Sequence, residues 1–278
     1  MPLPDFIIGG APKAGTTAIF RYLDQHPGVF TTTPKEPHYF ASAALGRRIQ
    51  YEYTREDYEA LFEERRPDQK SGEGSTEYLE RAEAVAPLIA SVVPDVRLIF
   101  SLRNPIDRAY SYYWFRLHIG IIGAGTPFSE YRSNDRLLKA GDYAASLAFY
   151  QEAFDREQIL VLLMEDLRDD PDGTMRRICE HIGVDPSFQF SFASTPNVTR
   201  YPRAPRLMQT AGRVIPGLSR WASRRPMLRG VRSRILFSED APKPPMSAED
   251  KEALVAYYQP RIEALSDMID RDLSHWLR

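Results

Sequence analysis

The stretch PDFIIGGAPKAGTTAIFRYL, residues 4–23, decides how the rest of the chain is read. Phe6 to Gly9 is a short apolar run ending in glycines, and Thr16 to Leu23 spaces its apolar residues as a helix does. Strand, tight loop and helix is the expected order. Between them, Gly10-Ala-Pro-Lys13-Ala-Gly15-Thr16-Thr17 keeps the two glycines of the phosphate-loop pattern G-x-x-x-x-G-K-[ST]. It departs from that pattern in placing Thr16 at the lysine position and Lys13 inside the loop. The physics of a cradle survives this change. Glycine lets the backbone approach closely, the first amides of a helix point at an anion, and the helix dipole favours negative charge. Lys13, Ala14, Gly15, Thr16 and Thr17 are therefore the expected phosphate contacts. A lysine within the loop sits nearer the bridging atom beyond the phosphate than one reaching for a γ-phosphate.

Working outward, Val96 to Leu102 (VRLIFSL) and Gln158 to Leu163 (QILVLL) read as buried strands, with a shorter one near Lys70 to Glu73. Helical patterns follow at Ile106 to Leu117 and Pro171 to Ile182, and GDYAASLAFYQEAFDRE precedes the strand at 158. Apolar strands alternating with helices predict an α/β fold, three layers deep, with a central parallel sheet covered on both faces. One domain over 1–278 is expected, with an arginine-rich segment at about 197–238. Ser247-x-x-Asp250 opens an apolar-periodic stretch that predicts a capped C-terminal helix over about 247–276.

Composition narrows the classes of function. The formal net charge is −2, against a strongly basic nucleic-acid binder. Of 36 basic residues, six are lysine and the rest arginine, whose planar fork suits phosphate, sulfate or carboxylate. Cys179 is the one cysteine, so neither an internal disulfide nor a thiolate metal site can form, and no His/Asp/Glu spacing resembles a metal site. Cys179 reads as a buried helical thiol. His26, in DQHP at a helix end, reads as a capping or exposed residue. No transmembrane run occurs, and MPLPDFIIGG lacks a basic leader region, so a cytoplasmic protein is expected.

A second anion site is expected where the strand at 96–102 ends in Arg103, within SLRNPIDRAYSYYWF. Asn104-Pro105 breaks the strand, and Ser111 lies two turns into the next helix. An arginine at a strand end and a hydroxyl on the following helix can grip one phosphate from two sides.

PDFIIGGAPKAGTTAIFRYLDQHP resembles the 5′-phosphosulfate loop of sulfotransferases that use 3′-phosphoadenosine 5′-phosphosulfate (PAPS), closest to the bacterial and heparan-sulfate-type branch. The resemblance runs discontinuously from Pro4 to about Pro205. It implies a P-loop NTPase-like sulfotransferase fold and metal-free sulfuryl transfer from PAPS to a hydroxyl of a carbohydrate, glycolipid or natural product, with 3′,5′-ADP as the other product. The R-[DN]-P-x-x-R-x-x-S arrangement would hold the 3′-phosphate through Arg103 and Ser111. In Thr33-Pro-Lys35-Glu36-Pro37-His38-Tyr39-Phe40, Glu36 and His38 are the candidate bases. The resemblance favours Glu36, and Lys35 could neutralise the transferring group.

Two departures from the family stand out. Gly72-Glu73-Gly74-Ser75-Thr76-Glu77-Tyr78 carries Gly74 where heparan-type members have a catalytic lysine. Lys13, Lys35 or an arginine would then have to supply that charge. Glu73 could orient catalytic groups, and Tyr78 is as readily core as contact. The loop that closes over the nucleotide lacks the family's lysine-glycine pattern, leaving Arg203 as a replacement phosphate contact and Tyr201 as an adenine stack. The later arginines, among them Arg213, Arg224 and Arg232, read as a solvated face or an amphipathic helix.

Two rival functions differ in what they require. A P-loop kinase or NTPase acting on a small molecule would place a metal-binding aspartate where Arg103 stands. A non-catalytic nucleotide- or glycan-binding module would not need both Lys13 and Glu36.

Overall fold

Five short strands, β1 (Phe6–Gly10), β2 (Val29–Thr31), β3 (Lys70–Glu73), β4 (Arg97–Leu102) and β5 (Ile159–Leu163), pair in parallel in the order β2-β3-β1-β4-β5. The computed structural model describes residues 3–46, 53–123, 125–192, 201–202, 237–238 and 242–278. The helices are α1 (Thr16–Leu23), α2 (Tyr39–Leu45), α3 (Arg55–Ala60), α4 (Glu77–Glu80), α5 (Ala82–Val92), α6 (Pro105–His118), α7 (Phe128–Tyr131), α8 (Asp135–Lys139), α9 (Tyr143–Ala153), α10 (Met164–Asp169), α11 (Pro171–Ile182) and α12 (Ala248–Ile269). A small antiparallel pair joins β6 (Tyr201–Pro202) to β7 (Phe237–Ser238).

The chain divides into two compact units. The first, Met1–Arg103 with Asp142–Thr195 and Ala264–Asp272, holds the five-stranded sheet. β1 runs through its centre, with Phe6 opposite Gly72 on one side and Arg97 on the other. A strand flanked on both edges and covered on both faces has no solvent side, so every residue of β1 is buried and its sequence does not alternate. On one face, Phe6, Ile8, Ile99 and Leu162 pack against Ile19, Phe20 and Leu23 of α1 and against Met175, Ile178 and Ile182 of α11. Each large apolar side chain buried there contributes roughly 1.5–3 kcal/mol. On the opposite face Phe100 of β4 stacks at a tilt, 4.7 Å between ring centroids, on Tyr150 of α9. This is the three-layer α/β/α arrangement expected, and the first unit carries the whole of it.

Local signals set several boundaries. α11 begins with Asp170, whose carboxylate accepts from Gly173 N–H at 2.9 Å, and with Pro171 at its first position. It ends at Gly183, left-handed at φ 75°. Cys179 is fully buried in this helix, as expected, and burial pushes its thiol up to about 11.

The second unit, Asn104–Gly141 with Pro196–Glu263 and Leu273–Arg278, contains α6, α7, α8 and most of α12. The Asn104 side chain accepts from Ile106 N–H at 2.9 Å and caps α6, with Pro105 following at the first helical position. Tyr110, Tyr113 and Trp114 of α6 gather around Phe128 and one another. Arg108, fully buried, donates to the Leu137 carbonyl at 2.6 Å.

Two expectations need correction. Ser247 does cap the C-terminal helix, accepting from Asp250 N–H at 3.1 Å, but the helix stops at Ile269 rather than near 276. Asp270 turns left-handed at φ 51°, and Arg271 swings out to a two-pronged pair with Asp166, 2.9 Å to each oxygen. A short 3-10 turn, Ser274–Leu277, follows. His26 is buried, not exposed: its Nδ1 accepts from Gly28 N–H at 3.0 Å, while Nε2 lies 3.0 Å from the Asp185 carbonyl. The arginine-rich stretch, Arg203 included, falls outside the described residues, apart from the four residues of β6 and β7.

Candidate active site

From β1 the chain moves outward to β2 and β3 on one side, then crosses to β4 on the other. Open parallel sheets bind ligands beyond the carboxyl ends of the strands where this order reverses. The loop after β1, the residues after β3 and Arg103 after β4 all emerge at that edge.

The first of these is the phosphate-loop variant. Lys13 at φ 70° and Gly15 at φ 83° both take left-handed backbone. Such reversals turn successive amides towards one point and build an anion nest. Glycine adopts this conformation freely, whereas at Lys13 it costs on the order of 1 kcal/mol, which neighbouring bonds must offset. Ala11 N–H donates to the Ser101 carbonyl at 2.7 Å, and Ser101 Oγ donates to the Ala14 carbonyl at 2.6 Å. Arg103 Nη1 reaches the Lys13 carbonyl at 3.3 Å. The hydrogen-bond ladder of α1 starts at Ala18, which donates to the Gly15 carbonyl at 2.9 Å. The Thr16 and Thr17 amides precede it, and no side chain caps the helix at Gly15. These groups suit an oxyanion. Burial first, and the Arg103 charge second, lower the Lys13 ammonium from 10.5 to about 8, and an anion in the nest would draw the proton back.

The loop between β2 and α2 supplies a carboxylate. Lys35 Nζ lies 3.0 Å from Glu36 Oε1, and His38 Nε2 lies 3.3 Å from Glu36 Oε2. Thr76 Oγ1 donates to the same Oε2 at 3.4 Å. Burial alone would raise the Glu36 pKa; the hydrogen bond from His38 and the Lys35 charge outweigh it, so the carboxyl sits below its ordinary value. Lys35 also reaches the cradle, with Nζ 3.4 Å from Thr16 Oγ1 and 3.2 Å from Thr17 Oγ1. His38, left-handed at φ 56° at the start of α2, donates its backbone N–H to Ser75 Oγ at 3.0 Å.

Behind this loop lies a second carboxylate. Glu73, at the end of β3, is fully buried and accepts from Ser75 Oγ at 2.5 Å, Tyr78 OH at 2.7 Å and Tyr58 OH at 3.1 Å. Burial pushes its carboxyl up to about 7 despite these three donors. Tyr78 is therefore core, its hydroxyl spent on Glu73. Ser75, Thr76 and Tyr58 join the site without having been anticipated. Ser75 and Thr76 lie beside Glu73 in sequence, whereas nothing local to Tyr58 announces its role.

Lys13, Ala14, Gly15, Thr16, Thr17, Glu36, His38 and Arg103 all belong to the first unit. Lys13 and Arg103 are joined through the loop backbone, and Glu36 and His38 are tied to the cradle threonines through Lys35. Ser111 and Tyr201 belong to the second unit. Ser111 is buried on α6, and Tyr201 packs edge-on against Trp114, 6.5 Å between centroids.

The chain is similar in sequence and in fold to known proteins. Mouse bifunctional heparan sulfate N-deacetylase/N-sulfotransferase 4 is 27% identical over 297 residues, covering 99% of this chain and 31% of that protein. Human bifunctional heparan sulfate N-deacetylase/N-sulfotransferase 3 is 31% identical over 210 residues, covering 69% of this chain and 24% of that protein. The chain thus spans about a third or less of the length of these curated relatives. A crystal structure of a sulfotransferase from Alicyclobacillus acidocaldarius superposes at TM-score 0.74 with 25% identity, covering 100% of both chains. Retinol dehydratase in complex with androsterone and inactive cofactor PAP shares the fold at TM-score 0.51 and 12% identity, over 98% of this chain and 83% of that one. No helix among the described residues is long and apolar enough to cross a membrane. Residues 3–191 match the sulfotransferase domain, and the chain belongs to that family.

Proposed function

We propose that this chain transfers a sulfuryl group from PAPS to a hydroxyl of a carbohydrate, glycolipid or natural-product acceptor, leaving 3′,5′-ADP. The observation that carries the reading is the position of Lys35, whose ammonium meets both cradle threonines and Glu36. An anion cradle and a carboxylate base thereby adjoin across one side chain. PAPS supplies an activated sulfur: the acceptor oxygen bonds to it while the sulfur–oxygen bond to the 5′-phosphate breaks, its electron pair staying on the bridging oxygen.

The chain's own groups serve that exchange. The amides of Gly15, Thr16 and Thr17 and the hydroxyls of Thr16 and Thr17 hold the 5′-phosphate, while the Ala14 amide, donating to the Ala11 carbonyl at 3.3 Å, shapes the loop. Lys13 faces the charge growing on the bridging oxygen, a preorganised contact of the kind worth roughly 3–4 kcal/mol. Glu36 receives the acceptor's proton, and its lowered pKa keeps it ionised at neutral pH. His38 orients Glu36 through Nε2 and is the second candidate for the proton. By family resemblance Arg103 is assigned to the 3′-phosphate. Lysine and arginine carry the compensating charge, so transfer is expected to proceed alike in EDTA and in Mg²⁺.

An amine acceptor is the second reading, favoured by relatives named as N-sulfotransferases. Transfer of labelled PAPS to panels of hydroxyl and amine acceptors, with mass detection of products, separates the two. Sulfated hydroxyl products support the proposal. Sulfated amines alone favour the second reading, and Mg²⁺-dependent ATP turnover with no sulfated product would overturn both.

A further inference from the structure

Lys35 and Gly74 occupy one space between them. The backbone sets them side by side, with Gly74 N–H donating to the Lys35 carbonyl at 3.0 Å. A Cβ at Gly74 would lie 2.9 Å from Lys35 Cε and 3.2 Å from the Phe20 ring. Any side chain at 74 would thus point along the path that the lysine stem already follows. The stem runs beside Phe20, with Nζ 5.9 Å from its ring centroid, and its head ends between the Thr16 and Thr17 hydroxyls and Glu36. It is largely buried, its side chain 18% exposed.

From this packing we infer that Lys35 is a catalytic cation for the transferred sulfuryl group, and that Gly74 is bare in order to admit it. The assignment rests on the sulfuryl-transfer reading and deepens it. The cradle threonines mark where the donor's phosphate sits, and Glu36 marks where the acceptor's proton goes. The Lys35 ammonium contacts both, and so lies beside a group passing from one to the other. During transfer the acceptor oxygen forms its bond to sulfur, the bond to the bridging oxygen breaks and the proton moves to Glu36. The sulfuryl oxygens stay negative throughout, and an ammonium at this point remains in contact with them on both sides of the exchange. Lys13 is left to the bridging oxygen, so the two lysines divide the charge. The geometry also makes the cation transferable: a lysine rooted at position 74 starts beside Lys35 Cε and can deliver its ammonium to the same place once residue 35 is shortened.

The test is a charge swap using Lys35→Ala, Lys35→Met, Gly74→Lys and the double variant Lys35→Ala/Gly74→Lys. Each is followed by kcat for sulfuryl transfer and by calorimetric affinity for 3′,5′-ADP, which lacks the sulfuryl group. Lys35→Ala and Lys35→Met are expected to lose about 10²–10³ in kcat, with 3′,5′-ADP affinity changed by no more than about threefold; Lys35→Met keeps the stem's packing on Phe20 and guards against misfolding. The double variant is expected to regain at least about tenfold over Lys35→Ala. Three results would overturn the assignment: kcat within twofold of the parent in Lys35→Met, parallel loss of kcat and 3′,5′-ADP affinity, or a folded, 3′,5′-ADP-binding double variant with no recovery. If the unaltered protein neither binds 3′,5′-ADP nor transfers sulfuryl, the underlying reading itself falls, and the failure shows before any variant is made.

Discussion

Two glutamates stand next to each other in this site and behave in opposite ways. Glu36 lies in the loop before α2, its side chain 31% exposed, and is met by Lys35 and His38. Glu73 ends β3, is wholly buried, and is met by the hydroxyls of Ser75, Tyr78 and Tyr58. Against the effect of burial, the His38 hydrogen bond and the Lys35 charge hold the first below its ordinary pKa. Neutral donors leave the second at about 7, because three hydroxyls do not repay the desolvation of a carboxylate. Burial and the groups around each carboxylate, rather than residue type, set the two apart, and this contrast supports the proposal that Glu36 takes the proton while Glu73 is scaffolding.

The largest expected effect comes from removing the proposed base. Glu36→Gln should lower kcat by about 10²–10⁴ while leaving 3′,5′-ADP affinity nearly unchanged, measured by labelled transfer and by calorimetry. Full activity in that variant would erase the distinction between the two glutamates.

Glu73 should instead report through stability. Its folded-state pKa is raised from 4.5 to about 7, so the folded protein holds this proton more tightly than the unfolded chain. The resulting stabilisation is complete below pH 4.5 and is lost as pH rises through about 7. Relative to Glu73→Gln, the unaltered protein should lose on the order of 3 kcal/mol of unfolding free energy between about pH 5 and pH 8, read by urea denaturation. Parallel pH curves for the two proteins would contradict a buried, neutralised Glu73.

The smallest effect is a displacement of the pH profile. The His38 hydrogen bond is the foremost cause lowering the Glu36 pKa, so His38→Gln should move the acid limb of kcat to higher pH. An unmoved limb would mean that His38 does not tune the base.

Much of the fold is legible residue by residue, because its signals are local. Phe6 to Gly9 and Thr16 to Leu23 announce a strand and a helix, and Pro171 and Gly183 bracket another helix with chemistry that acts within one turn. β2 is only three residues long at the sheet edge, too short for any period to register. The end of α12 at Ile269 is not legible in the C-terminal pattern, since Arg271 just beyond it pairs with Asp166, 105 residues away in sequence. The site divides in the same way. The cradle and the Lys35-Glu36-His38 cluster stand contiguous in sequence, but contacts assembled by folding are not legible there. Lys35 at the threonines, Tyr58 on Glu73 and the crowding between Lys35 and Gly74 are of this kind.

The central claim, that the loop after β1 is a cradle for a sulfated bisphosphate nucleotide and not for a metal-bound triphosphate, is tested most directly by calorimetric titration of the unaltered protein. 3′,5′-ADP should bind more tightly than ATP, with the same affinity in EDTA and in Mg²⁺. Tighter binding of ATP, strengthened further by Mg²⁺, would contradict it.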